Sequence, residues 1–462
     1  MIDTVNRTLP TSLLATLLAA AASAADTPAP FQLVRSDENY NPHPLSGTYV
    51  PPPEPWKYLP VSASGESYFS FGGELRERYD VFDAPRFGIA TRSDSYDLQR
   101  LLLHGDFHMG QRFRIYAEIG KHDVFNKSTA VLPVDQSPTN IQNLFIDVIP
   151  ESSEHWRVRV GRQELVLNPT QRFIGAREGP NLRQSYDGAR LTWNAGHWKV
   201  DAFSLRPVIV VKADAFDNRG DSSTLFSGVY VSHTLGKPQN VIELYWLAYN
   251  HWNARYGATV ASERRRTIGT RVALRNGGWD FDTDLAWQYG TFGSREIRAW
   301  AVGSDLGFTL PAVWKPRVGL RFDGASGGSS ADPNSIDTFN PLFPKGLYFD
   351  ESMLTTYANL LSVRPSIAIA PLRGLTLQVS EAWRWKESVQ DALYLIPFVA
   401  IAQTVGPAGR YVGRWTVLDA TLRANRWITL QGEYVHVASG SAIQEPGGKD
   451  VDFTMFIAQL RF

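Results

Sequence analysis

Apolar and polar side chains alternate at every second residue through most of this chain from residue 66 onward. Within residues 67–81, for example, Phe71 and Leu75 alternate with Glu74 and Arg76. Successive side chains of a strand point to opposite faces, so this period predicts β-strands with one apolar and one polar face. The pattern recurs in residues 112–119, 156–160, 242–248, 280–288 and 317–323. Helical periodicity is hardly visible, and the sequence therefore predicts an all-β protein.

The alternation alone leaves two architectures open. In a soluble sandwich the apolar face packs inward, whereas in a wide membrane barrel it faces lipid and the polar face lines the lumen. The end of the sequence favours the barrel, because Phe456, Ala458, Leu460 and Phe462 form one face of a last strand with an interfacial aromatic. The 14 Trp, 18 Tyr and 24 Phe suit two interfacial girdles. We expect residues 66–462 to form a transmembrane antiparallel up-and-down β-barrel of 16 to 18 strands.

The N-terminal region predicts export from the cytoplasm. Residues 1–24 read as a signal peptide, with an apolar core too short to span a bilayer and a small-residue cleavage site ending at Ala24. Residues 25–65 contain nine prolines. Because proline lacks the N–H that a ladder requires, we expect a periplasmic or luminal segment without strands, of which residues 26–60 are dispensable for the barrel. The predicted location is the outer membrane of a Gram-negative cell.

Composition excludes several classes of site. The chain has no Cys, so disulfides and thiolate metal sites are ruled out. Lys and Arg total 46 and Asp and Glu total 46, so there is no basic excess for nucleic acid. Residues 324–328 match the G-x-S-x-G pattern of a nucleophilic serine, but loop-forming residues follow where a helix is needed. We therefore predict no catalytic residues, no cofactor and no metal.

Several ordered motifs resemble the alginate export family of outer-membrane proteins. They are FGGELRERY at residues 71–79, LQRLLLH at 98–104, GRQEL at 161–165, RQSYDGARL at 183–191 and TFNPLFP at 338–344. The resemblance implies a monomeric barrel of 18 strands with a charged constriction. It also implies transport of an acidic polysaccharide such as alginate, with periplasmic secretion partners. Residues 166–170 are apolar and depart from the family pattern.

The predicted solute path is built from arginines. Alternation places four of them on polar strand faces: Arg76, Arg114, Arg159 and Arg321. The resemblance adds further residues: Arg100, Arg162, Arg172, Arg183, Arg190, Arg384, Glu164 and Asp187. A guanidinium pairs bidentately with carboxylates, and rings of arginine make pores anion-selective. The alternative is structural, with arginines and carboxylates pairing across the lumen to stiffen the wall. Arg162 is out of phase with Arg159, so its place in the lumen requires a bulge.

Three functions are compatible with these observations. The first is a channel in outer-membrane lipid for anionic solutes or acidic polysaccharide. The second is a general or hydrophobic-substrate uptake porin of the same fold. The third is an outer-membrane enzyme or adhesin. The arginines favour the first.

Overall fold

The computed structural model describes residues 31–41, 54–89, 91–150, 154–176, 178, 180–328, 334–406 and 409–462. The signal peptide predicted for residues 1–24 lies outside the described residues, as do residues 25–30 and 42–53 of the proline-rich region. Within the described ranges, no helix is both long and apolar enough to cross a bilayer.

Eighteen long strands form one sheet in the described part of the chain. They are β1 (Tyr68–Asp83), β2 (Asp94–Met109), β3 (Phe113–Phe125), β4 (Ser137–Val148), β5 (Trp156–Glu164), β6 (Ser185–Ala195), β7 (Trp198–Ile209), β8 (Thr224–Thr234), β9 (Val241–Tyr256), β10 (Thr259–Asn276), β11 (Trp279–Phe292), β12 (Arg295–Thr309), β13 (Arg317–Ala325), β14 (Leu360–Leu372), β15 (Leu375–Trp385), β16 (Tyr411–Arg423), β17 (Ile428–Ser439) and β18 (Val451–Arg461). Each strand pairs antiparallel with the one before it, which gives an up-and-down order.

The last strand closes the sheet on the first. β18 pairs with β1 from Asp452 opposite Asp83 to Arg461 opposite Glu74. Beyond this ladder, the Gly73 N–H donates to the Phe462 carbonyl at 2.9 Å, and the Phe462 N–H donates to the Gly73 carbonyl at 3.1 Å. Closure leaves no unpaired edge, which lipid would not tolerate. The predicted closed antiparallel β-barrel is confirmed.

The burial pattern decides between sandwich and barrel. On β1, Phe71 and Leu75 are 48% and 37% exposed, whereas Glu74 and Arg76 are 0% and 1% exposed. The apolar face is therefore the outer face, and the charged face is enclosed. A soluble protein would reverse this arrangement, but a barrel in lipid requires it.

The two ends of the barrel differ in their connections. At the end where β1 begins, hairpins turn within residues 196–197, 277–278 and 373–374. Gly277 and Gly278 have φ angles of 56° and 89°, which this tight turn requires. The opposite end carries the long connections, which include residues 165–184, 326–359 and 386–410. Bacterial barrels have short periplasmic turns and longer extracellular loops, so we name these the periplasmic end and the extracellular end.

The described parts of two long connections fold into the lumen; we name residues 165–176, 178 and 180–184 the first luminal loop and residues 326–328 and 334–359 the second. They meet at a parallel bridge between Ile174 and Phe343. Phe173 packs against Phe339 and Tyr357, with ring centroids 5.3 and 5.2 Å away. These buried side chains belong to an apolar core inside the barrel. The lumen is therefore partly filled by the chain itself.

Residues 31–41, the N-terminal segment, lie inside the periplasmic end. Arg35 is buried there and donates to the Gly73 carbonyl at 2.9 Å and to the Phe462 carbonyl at 3.0 Å. It also pairs with Glu38 at 2.8 Å. The segment therefore contacts both strands at the point where the barrel closes.

A short ladder joins the proline-rich region to the wall. Leu59 lies opposite Phe69 and Pro60 opposite Tyr68. The expectation that prolines exclude pairing throughout this region is therefore wrong at Pro60. A two-residue strand at the start of a sheet accommodates proline, because one side of its backbone needs no partner.

Candidate solute path

Three arginines surround the carboxylate of Glu74, which β1 points into the lumen. One Glu74 oxygen lies 2.6 Å from the Arg100 guanidinium of β2. The other lies 3.0 Å from Arg183 of the first luminal loop and 3.1 Å from Arg461 of β18. Glu74, Arg100 and Arg183 are almost completely buried. One carboxylate thus connects three neighbouring strands with the luminal loop.

A second carboxylate, Glu178, holds the first luminal loop against the same arginines. Arg183 lies 2.8 Å from it, Arg76 lies 3.7 Å from it, and Arg100 pairs with it as well. Burial alone would raise the pKa of Glu178, but Arg100 and Arg183 hold that pKa at about 2. Arg76 also donates to the Glu178 carbonyl at 3.1 Å and to the Pro180 carbonyl. We name these groups the arginine cluster: Arg76, Arg100, Arg183, Arg461, Glu74 and Glu178.

Towards the periplasmic end, Arg114 and Arg159 share carboxylates. Arg114 lies 2.7 Å from Asp106 and 3.5 Å from Asp147. Arg159 lies 2.7 Å from Asp147. Arg114 also donates to the carbonyl of Ser36, at 2.8 Å, in the N-terminal segment. These arginines therefore anchor that segment as well as line the wall.

Arg172 and Arg321 approach Tyr348 of the second luminal loop. Arg172 lies 2.6 Å from Asp282 and donates to the Tyr348 hydroxyl at 3.0 Å. Arg321 lies 3.1 Å from Asp305 and donates to the Tyr348 carbonyl at 3.0 Å. The two arginines hold the second loop as the arginine cluster holds the first.

Arg384 and Arg190 are also paired. Arg384 lies 2.9 Å from Asp350 of the second luminal loop and donates to the Thr355 hydroxyl at 2.7 Å. Arg190 lies 2.8 Å from Asp201 of the adjacent strand. Both side chains lie on the inner face of the wall.

The sequence prediction is wrong for Arg162 and Asp187, which lie on the outer face. Arg162 stands opposite Leu144 on one side and Asp187 on the other, and Leu144 is 44% exposed on the lipid-facing side. The expected bulge is absent, because β5 and β6 pair without a register shift. Arg162 therefore keeps the opposite face from Arg159, and it pairs with Asp187 at 2.7 Å.

Glu164 ends β5 and is buried. Its carboxylate accepts a hydrogen bond from the Gln142 amide at 2.8 Å, and its N–H donates to the Asn143 side chain at 2.9 Å. No arginine lies within ion-pair distance of Glu164 among the described residues. Glu164 therefore stabilises the extracellular end of β5 and does not pair with a guanidinium.

Sequence reasoning missed Arg364 on the inner face of β14. Its guanidinium donates to the Ser380 hydroxyl at 2.8 Å and to the Phe349 carbonyl. Among the described residues, no carboxylate lies within ion-pair distance of it. The alternation of Ser362, Arg364 and Ser366 along the strand contains the signal that would have found it.

The G-x-S-x-G stretch does not form a nucleophile site. Ser326 follows the end of β13 and is 4% exposed. Its hydroxyl accepts from the Trp300 N–H at 2.9 Å and donates to the Asp337 carbonyl at 2.6 Å. The Ser326 hydroxyl therefore links the backbone of β12 to the backbone of the second luminal loop.

The family model for alginate export matches residues 67–456. The chain belongs to the alginate export family. Among curated proteins, none matches this chain.

Solved structures share the fold at low identity. Pseudomonas aeruginosa OccK9 (OpdG) is 12% identical, covers 85% of this chain and 98% of its own, and has a TM-score of 0.58. A BenF-like porin from Pseudomonas fluorescens Pf-5 is 11% identical over 88% of this chain and 100% of its own, with a TM-score of 0.56. Pseudomonas aeruginosa OccK2 (OpdF), solved in complex with glucuronate, is 10% identical over 85% and 98%, with a TM-score of 0.55. Family and fold together make this chain an outer-membrane β-barrel channel for solutes.

Proposed function

We propose that this channel passes small anionic solutes, with carboxylated sugars as the favoured class. The observation that carries the proposal is the composition of the arginine cluster. Four guanidinium groups there are in contact with two carboxylates, Glu74 and Glu178. Among the groups in contact within the cluster, guanidinium groups outnumber carboxylates by four to two, and they lie in a low-dielectric wall where fields are weakly screened.

Arg461 offers the contact for a solute. Its Nε donates to Glu74 at 3.1 Å, and its other N–H groups have no partner among the described residues. A carboxylate passing this point can accept two parallel hydrogen bonds from one guanidinium. The remaining arginines of the cluster position the first luminal loop and contribute a positive electrostatic field, without contacting the solute directly.

Small solutes fit this lumen better than a polymer does. The N-terminal segment and both luminal loops lie inside the barrel and are fixed by buried ion pairs. A polysaccharide such as alginate would have to displace them to thread through. A sugar acid needs only the space beside them, and the glucuronate complex of OccK2 supports the ability of this fold to hold such a solute.

Liposome swelling tests the proposal. Glucuronate should enter proteoliposomes faster than glucose, which has similar size and no charge. Arg461→Gln should slow glucuronate by about tenfold or more and leave glucose unchanged, because one charge-assisted contact contributes roughly 1.5–3 kcal/mol. The matched control is Arg162→Gln on the outer face. Equal rates for the two solutes in the wild type would contradict the proposal.

The second candidate, an uptake porin for apolar solutes, is favoured by one observation. An apolar-walled cavity of about 790 Å³ lies at the extracellular end. Entry of neutral apolar solutes faster than anions of equal size would favour this candidate.

A further inference from the structure

The cavity at the extracellular end lies directly above the arginine cluster. Phe82 of β1 and Tyr96 of β2 contribute to its wall from the inner face of the barrel. Pro180 of the first luminal loop also lines it, and the Pro180 carbonyl accepts a hydrogen bond from Arg76 of the cluster. A solute that leaves this cavity inward therefore meets the cluster next.

Apolar side chains from separate segments of the chain form most of the cavity wall. They include Leu132, Val134, Met353, Leu354, Leu395 and Ile396. The volume of about 790 Å³ falls in the range of sites that enclose a small organic molecule. A wall of this composition favours a ligand with an apolar body over a fully hydroxylated sugar.

The two carboxylates in the wall are already engaged. Asp94 accepts hydrogen bonds from the N–H groups of Ser128 and Thr129, at 3.0 and 2.8 Å. Asp135 lies 2.7 Å from the Lys127 ammonium. Neither acid is therefore available to bind a cation from solution, and the one lysine of the wall is neutralised.

Two arginines of the wall retain free donors. Arg86 has no hydrogen-bond or ion-pair partner among the described residues, and Arg92 donates only to the Ser128 carbonyl, at 3.1 Å. Arg86 has a φ of 53° and is followed by Phe87 at 60°, a conformation that costs free energy for such residues. The buried Phe87 ring packs edge-on against Trp415, with centroids 6.2 Å apart, which holds this turn in place. The turn fixes the backbone from which the exposed Arg86 guanidinium extends.

We propose that this cavity is a binding site for amphipathic carboxylates, such as aromatic or acyl acids. The apolar body lies against the cavity wall, and Arg86 and Arg92 take the carboxylate. This proposal rests on the proposed function in one respect, because onward passage of the bound anion requires a channel that passes anions. Binding itself does not depend on it.

Binding measurements on the wild-type channel in lipid nanodiscs distinguish the contribution of the apolar wall from that of the guanidinium groups. The probes are phenylacetate, acetate and 2-phenylethanol, titrated calorimetrically with empty nanodiscs subtracted. Phenylacetate should bind at least about tenfold more tightly than either other probe, because only it uses both the apolar wall and the guanidinium groups. Equal affinity for phenylacetate and acetate would overturn the proposal, as would equal affinity for phenylacetate and 2-phenylethanol.

Variants of the lining residues test whether the site lies in this cavity. The double variant Arg86→Gln, Arg92→Gln should weaken phenylacetate binding by about tenfold or more and leave 2-phenylethanol unchanged. Ala130→Trp, which fills the cavity, should weaken both. Arg255→Gln, at an exposed arginine of the same end outside the cavity, is the control. All variants are first checked for heat-modifiable migration, which reports a folded barrel.

Two outcomes of this experiment overturn the site. One is unchanged phenylacetate affinity in the folded double variant, and the other is unchanged affinity in the folded Ala130→Trp variant. A channel that prefers cations but binds phenylacetate through Arg86 and Arg92 overturns the proposed selectivity and supports the site. The two proposals therefore fail separately.

Discussion

Arg35 should hold the N-terminal segment inside the periplasmic end of the barrel. Its guanidinium lies 2.8 Å from Glu38, 2.9 Å from the Gly73 carbonyl and 3.0 Å from the Phe462 carbonyl. Arg35→Ala removes all three contacts at once. Glu38 then remains buried, and its only donors among the described residues are the Gln32 N–H at 3.0 Å and the Tyr40 hydroxyl at 2.9 Å.

The size of the effect follows from the burial of the pair. Breaking a buried ion pair by removing one partner costs about 3–5 kcal/mol. The cost falls on the docking of the segment, because the barrel wall keeps its own ladders. Each 1.4 kcal/mol is tenfold, so the fraction of molecules with the segment released should rise by roughly 10²-fold to 4 × 10³-fold.

Limited proteolysis measures that fraction. Proteinase K should cleave residues 31–41 far faster in Arg35→Ala than in the wild type, while the barrel stays resistant and heat-modifiable. Single-channel conductance should rise as the segment leaves the lumen. Asp37→Asn, at an exposed position of the same segment, is the control and should change neither the cleavage rate nor the conductance. Equal protection of the segment in Arg35→Ala and wild type would refute the role assigned to this arginine.

Three further predictions concern the luminal loops, pH and maturation. Arg183→Met should destabilise the first luminal loop by about 3–5 kcal/mol, measured as its protease protection, while the outward Arg162→Met changes it little. Burial and the nearby Arg35 lower the pKa of Lys57 from 10.5 to about 7. The unfolded chain therefore binds the extra proton between these two values, so stability should rise with pH from about 7 to about 10.5. The slope from this group is at most about 1.4 kcal/mol per pH unit, and urea unfolding of Lys57→Met should lack it. N-terminal sequencing of the outer-membrane fraction should begin at Ala25, and an uncleaved or wholly soluble protein would contradict the predicted export.

The wall of the barrel was predictable because it depends on a local pattern. Side chains at every second residue share a face, so the local alternation alone predicts which face Phe71 and Arg76 occupy. The same rule correctly indicated that Arg162 was out of phase with Arg159. The bulge is required only by the family resemblance, which places Arg162 in the lumen, and the strand pairing agrees with the phase instead.

The contents of the lumen were not predictable in the same way. Glu178 lies in an irregular loop with no periodicity, yet it decides which arginines are neutralised. Its partners Arg100 and Arg183 are distant in the sequence and come together only in the folded structure. The sequence is therefore compatible with free arginines and with paired arginines, and it does not distinguish between them. The structure pairs all ten predicted arginines, and the proposed selectivity rests on the excess that remains in the cluster.

The reversal potential of single channels across a potassium chloride gradient tests the central proposal most directly. The wild-type channel should be more permeable to chloride than to potassium, because the arginine cluster holds more guanidinium than carboxylate groups. Arg461→Glu should lower that ratio, whereas Arg162→Glu, on the outer face, should not. A wild-type channel that prefers potassium would contradict the account.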